Sequence, residues 1–131
     1  MIFSRQATAL TSALRILVVD DDAVIGTLLA AMLEDMGHVV CGIETTEAGA
    51  VAAALRDRPD LMIVDALLGE GSGEVAMDRI LQDMTMAHIL MSGGTLTRRH
   101  VSSVILRKPF LYAELAGAIE RATTGSSADI A

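Results

Sequence analysis

Arg15-Ile16-Leu17-Val18-Val19-Asp20-Asp21-Asp22 is an apolar run that ends abruptly on carboxylates. The run is too short for a helix and reads as a strand buried on both faces. The pattern returns along the chain. Leu61-Met62-Ile63-Val64 ends on Asp65, His88-Ile89-Leu90-Met91 ends on Ser92, and Val104-Ile105-Leu106-Arg107 ends on Lys108-Pro109. His38 to Ile43 supplies a further strand. Between these runs, apolar residues recur at helical spacing. Val24, Ile25, Leu28, Leu29, Met32, Leu33 and Met36 form one such series, with Asp22 placed to cap it and Gly37 to stop it. Thr45 or Thr46 opens an alanine-rich helix to about Arg56, with Glu44 and Glu47 favouring its start. Glu74 to Met84 is a third helix, with Val75, Ile80, Leu81 and Met84 inward. Leu111 to Thr124 is the last, with Leu111, Leu115, Ala118, Ile119 and Ala122 inward. Pro59 punctuates before one strand, and Gly69-Glu70-Gly71-Ser72-Gly73 is a loop by composition. Alternation of this kind predicts an α/β protein, a doubly wound five-stranded parallel sheet with helices on both faces. Such sheets bind ligands beyond the carboxyl ends of their strands, where the polar residues fall.

Bulk properties narrow the function. A chain of 131 residues suits one core, and 52% hydrophobic against 21% charged residues predicts a folded protein. A net charge of −7 argues against DNA and against anionic membranes, and 2% aromatic residues leave no platform for stacking bases. Cys41 is the one cysteine, so no disulfide forms within the chain, which suits a reducing cytoplasm. No apolar run approaches the roughly 20 residues of a membrane-spanning helix. The expected organisation is an N-terminal extension over 1–14, the domain over 15–124 and a fraying Gly/Ser-rich tail over 125–131. Eight methionines fill the core where aromatics would otherwise pack.

Asp20, Asp21, Asp65, Ser92 and Lys108 all fall at strand ends on one predicted edge. Clustered carboxylates repel unless a cation joins them, so Asp20, Asp21 and Asp65 predict a hard metal, Mg²⁺, bound through oxygen. Asp65 can be both metal ligand and nucleophile, since a carboxylate attacks phosphorus to give an aspartyl phosphate. A lysine such as Lys108 then offsets charge on the phosphoryl oxygens. Ser92 offers them a neutral hydrogen bond, and Gly93 and Gly94 leave space and free N–H groups beside it. Taken singly, each feature has a plainer reading: a helix cap, a turn aspartate, a Ser-Gly loop, a Lys-Pro turn. Their joint occurrence, in order and at successive strand ends, favours the chemical one. His38, His88 and His100 lie in separate segments and form no metal-ligand pattern. Arg98, Arg99 and His100 read as a solvated loop that could dock a partner.

These residues resemble the response-regulator receiver domain of two-component signalling, over roughly Arg15 to Thr124. The resemblance rests on Ile16 to Asp22, Pro59 to Asp65, Ile89 to Gly93 and Arg107-Lys108-Pro109-Phe110. It implies the flavodoxin-like receiver fold, Asp65 as phosphoacceptor and Asp20 with Asp21 as the acidic pair serving Mg²⁺. It further implies the backbone carbonyl of Leu67 as a metal ligand, Ser92 as the switch hydroxyl, Lys108 as the phosphate-binding lysine, and a cis bond before Pro109. The chain departs from the family in three places. No proline follows the phosphoacceptor in Leu67 to Gly73. Ile105 stands where the family has a switch aromatic. The stretch from Ser92 to Lys108 is short, so the fourth helix is expected to be short or absent.

The resemblance therefore implies a stand-alone phosphoacceptor served by a sensor histidine kinase or histidine phosphotransfer protein, not an enzyme in the ordinary sense. It would signal through an unidentified protein partner or drain phosphate from a relay. The alternative is a phosphorylation-independent interaction module on the same fold. A Mg²⁺ phosphatase would want a second acid two residues beyond its nucleophile, where this chain has Leu67.

Overall fold

Five parallel strands in the order β2-β1-β3-β6-β7 form the central sheet. They are β1 (Arg15–Val19), β2 (Val39–Glu44), β3 (Leu61–Asp65), β6 (Ala87–Ser92) and β7 (Val104–Arg107). A two-stranded antiparallel hairpin, β4 (Leu67–Leu68) with β5 (Gly71–Ser72), follows β3. The helices are α1 (Ala23–Asp35), α2 (Glu47–Asp57), α3 (Gly73–Asp83) and α4 (Tyr112–Ile130). The computed structural model describes residues 13–94 and 103–130, with 125–130 as backbone only. The expected short fourth connection and the Arg98-Arg99-His100 loop fall within 95–102, outside the described residues, and so does most of the expected extension over 1–14.

The strands are continuous apolar runs because helices cover both faces of the sheet. Successive side chains on a strand point to opposite faces. Leu17, Val19, Met62, Val64 and Leu90 thus pack with Ala50, Ala53 and Ala54 of α2 and with Ala76, Met77 and Ile80 of α3. Ile16, Val18, Leu61, Ile63, Ile89 and Met91 pack on the other face with Leu29 and Leu33 of α1 and with Leu115, Ala118 and Ile119 of α4. Each large side chain so buried contributes about 1.5–3 kcal/mol of hydrophobic stabilisation.

The caps follow the sequence. Asp22 accepts the N–H groups of Val24 and Ile25, and Thr46 accepts that of Gly49. Three details differ from the sequence expectation. In α1, Leu29 and Leu33 are buried, but Val24, Ile25 and Leu28 are 68%, 41% and 59% exposed. In α3 the buried stripe is Ala76, Met77 and Ile80, with Leu81 exposed. In α4, Leu111 is exposed, and the helix continues past Thr124 to Ile130.

The stretch expected to be a loop is instead the hairpin β4–β5 and the start of α3. Gly69, at φ +59, begins the two-residue turn, the position where a type II′ hairpin takes glycine. Ser72 caps α3 by accepting the Val75 N–H, and the Gly73 N–H donates to Ala66 O at 2.9 Å. A Cβ on Gly73 would lie 1.9 Å from the carbonyl oxygen of Asp65 and 2.7 Å from Val64 Cγ1. Gly73→Ala is therefore expected to destabilise the fold by about 3 kcal/mol, because backbone and not a flexible side chain must yield. A urea midpoint within error of the wild type would contradict this.

Candidate functional site

The sheet delivers its polar residues to one edge by extending its hydrogen-bond ladders a residue past the strands. The Asp20 N–H donates to Glu44 O at 2.9 Å, and the Lys108 N–H donates to Ser92 O at 2.8 Å. Asp65 is the last residue of β3 and stands in register with Met91 of β6. Strand order reverses between β1 and β3, so Asp20 and Asp65 flank the crevice where open α/β sheets take ligands.

Asp20, Asp65 and Ser92 are buried, at 1%, 7% and 4% exposure, whereas Asp21 faces solvent. One oxygen from each of Asp20, Asp21 and Asp65 lies within 4.8 Å of the others. The Lys108 ammonium donates to Asp65 Oδ2 at 2.7 Å and stands 3.9 Å from Asp20 Oδ2. Asp65 Oδ1 accepts the Leu67 N–H at 3.1 Å, and Asp20 Oδ1 accepts the Asp22 N–H at 2.9 Å. Asp20 Oδ2 is buried and has no hydrogen-bond partner among the described residues. A carboxylate oxygen buried without a donor is costly unless something else fills its coordination. Three carboxylates that each bring an oxygen within 4.8 Å of the others, with an orphaned oxygen on Asp20, fit a small hard cation such as Mg²⁺.

The charges perturb one another. Burial pushes the Asp20 carboxyl above its ordinary value, and the charges of Asp65 and Asp21 add to this against the Asp22 N–H and Lys108. Burial alone would lower Lys108, but the bond to Asp65 and the charges of Asp65, Asp20 and Asp21 outweigh it and hold the ammonium above its usual range.

Ser92 does not point its hydrogen bond at a carboxylate. Its hydroxyl donates to Gly94 O and accepts the Gly94 N–H at 3.2 Å, a closed local turn. The Lys108–Pro109 bond is cis. Leu67 leaves its side chain 70% exposed beside the acids. Ile105 packs against the core cluster on the α2–α3 face. The sequence places Asp20, Asp21, Asp65 and Lys108 at one edge, and the structure brings them together there. The sequence reading missed Gly73, whose contact with the Asp65 backbone fixes the chain beyond it. A glycine-rich loop directly after an aspartate was the only available signal.

The family model described as the response regulator receiver domain matches residues 16–120. The chain is 31% identical over 116 residues to the phyllosphere-induced regulator PhyR of Methylorubrum extorquens, covering 84% of this chain and 43% of that protein. Among solved structures it is similar to the response regulator PhyR from Brucella abortus, with a TM-score of 0.81 and 28% identity over 90% of this chain and 51% of that one. The anti-anti-sigma factor PhyR from Bartonella quintana shares the fold, with a TM-score of 0.83 and 24% identity over 98% of this chain and 55% of that one. The chain spans about half the length of these relatives.

Asp20→Asn keeps an acceptor for the Asp22 N–H while removing the buried charge. A carboxyl whose folded pKa lies above its unfolded value of about 3.9 contributes full stability below the unfolded value and loses it as pH rises through the folded one. Without metal, the variant is therefore expected to resist urea better than the wild type at pH 7, with the gap closing toward pH 4. Mg²⁺ at about a hundred times its dissociation constant should stabilise the wild type by ~2.7 kcal/mol and leave the variant nearly unchanged. Urea titrations at both pH values, with and without Mg²⁺, measure both effects.

Proposed function

The chain belongs to the family of response regulator receiver domains, and we propose that it accepts a phosphoryl group on Asp65 from a sensor histidine kinase or histidine phosphotransfer protein. The observation that carries this reading is the Asp65–Lys108 contact at 2.7 Å beside the Asp20 and Asp21 carboxylates. A carboxylate oxygen of Asp65 attacks the phosphorus of the phosphohistidine. The P–O bond forms as the P–N bond breaks, and the departing imidazole keeps the electron pair and takes a proton. Asp20, Asp21, Asp65 and the Leu67 carbonyl would hold Mg²⁺, which when bound offsets charge on the transferring phosphoryl oxygens. Lys108 adds its own positive charge there. Ser92 reaches a phosphoryl oxygen by exchanging its bond to Gly94 for one to the ligand.

Val24 and Leu28 on α1, Leu67 on β4 and Leu111 are exposed apolar side chains that could meet the phosphodonor's surface. The signal then leaves through phosphorylation-dependent binding of a protein partner, or the phosphate is drained from a relay, in the cytoplasm. Among the described residues no helix is long and apolar enough to cross a membrane. Neither Leu67 nor Gly94 carries a carboxylate or amide to orient water at the phosphoryl group, so hydrolysis is expected to take much longer than seconds. A second reading, an interaction module indifferent to phosphorylation, draws on Ile105. Packed against the core in place of the family's aromatic, it cannot serve as a swinging ring.

Incubation with Mg²⁺ and acetyl phosphate, read by intact mass, separates the two. Wild type should gain one phosphoryl group and Asp65→Asn none. No gain, together with no binding of beryllofluoride, would replace this reading with the second.

A further inference from the structure

The hairpin that follows Asp65 is held from outside the acidic edge. Glu47, the first residue of α2, accepts the Ser72 N–H on Oε2 at 2.9 Å. Its Oε1 stands 3.8 Å from Arg79 Nη1 of α3. A Cβ on Gly71 would come within 3.0 Å of Glu47 Oε2 and 3.2 Å of Glu47 Cβ, so the hairpin lies directly against this side chain. Ser72 is paired in register with Leu67, and the Leu67 N–H donates to Asp65 Oδ1. Gly73, the next residue, is bonded to Ala66 O. The hairpin between Asp65 and α3 is thus closed at its base by the backbone bond from Gly73 to Ala66, and its returning strand is held at Ser72 by a carboxylate from a different helix. Without Glu47, the Ser72 N–H loses a charge-assisted acceptor, and the two-residue strands have little of their own to keep register.

We propose that Glu47 is a positioning residue for the phosphoacceptor site. By fixing Ser72 it fixes Leu67, and through Leu67 the orientation of Asp65 and of the backbone presented to the cation. The proposal rests on the phosphoacceptor reading above. It concerns a residue outside the acidic edge that touches neither phosphoryl group nor metal.

Glu47→Ala and Glu47→Gln separate this role from a general one. Glutamine keeps an oxygen for the Ser72 N–H but loses the charge facing Arg79 and the helix dipole; alanine loses all three. Mg²⁺ affinity would be measured by titration, phosphoryl uptake from acetyl phosphate by intact mass, and amide exchange at Ser72, Leu67 and Ile63 by NMR. Loss of an orienting partner typically lowers metal affinity by 10- to 100-fold. Glu47→Ala should therefore weaken Mg²⁺ by about tenfold and slow uptake. Exchange should accelerate at Ser72 and Leu67 and stay slow at Ile63 in the core. Glu47→Gln should recover most of both losses. Alanine binding Mg²⁺ as tightly as wild type would overturn the proposal, and so would glutamine behaving like alanine. A wild type that neither binds Mg²⁺ nor takes up phosphate would overturn the phosphoacceptor reading itself, an outcome distinct from either variant result.

Discussion

The contact between the Lys108 ammonium and the Asp65 carboxylate joins the sheet's outer strand to its centre across the whole width of β6. Among the described residues it is the shortest ion pair of a crevice in which three carboxylates also repel one another. Asp20, Asp21 and Asp65 bring like charges together, two of them buried, and burial makes Asp20 harder to ionise. The cis bond after Lys108 and the ladder bond from its N–H to Ser92 hold the backbone from which the ammonium reaches inward. The apolar strands beneath leave those charged ends no other place to go. A site of this kind is stable enough to fold yet electrostatically incomplete, a poise that suits the capture of a cation.

Much of this was legible in the sequence because parallel strands buried on both faces cannot hide. Leu61 to Val64 needs apolar residues at every position, so its boundaries and the polar residue that ends it stand out. Once the strands are parallel, all their carboxyl ends share one edge, and Asp20, Asp65, Ser92 and Lys108 fall together without knowledge of any contact. The helices were less readable. Periodicity in α1 identifies Leu29 and Leu33 as inward, but it cannot say that no described residue covers Val24 and Leu28. In α3 the same ambiguity of phase hid Met77 behind Val75 and Leu81.

What composition concealed most was the hairpin. Glycines over 69–73 suggest freedom, yet here they permit tight packing. Gly73 meets the Asp65 backbone, Gly71 meets Glu47, and Gly69 makes the turn. The bond from Ser72 to Glu47 spans 25 positions, and nothing in either residue's local sequence announces it. Ser92 closing on Gly94 was equally invisible, because a hydroxyl's choice of partner depends on the three-dimensional position of the following carbonyl.

The apolar face of α1 carries a further consequence. Leu29 and Leu33 anchor the helix from beneath, and the Asp22 carboxylate caps its start, so Val24 and Leu28 add little to its hold on the sheet. The fold itself therefore leaves those two positions open to change. Copies of a gene for this protein could diverge in the surfaces they present while inheriting one unaltered acidic edge. Such copies would differ in a few side chains that the fold itself does not need.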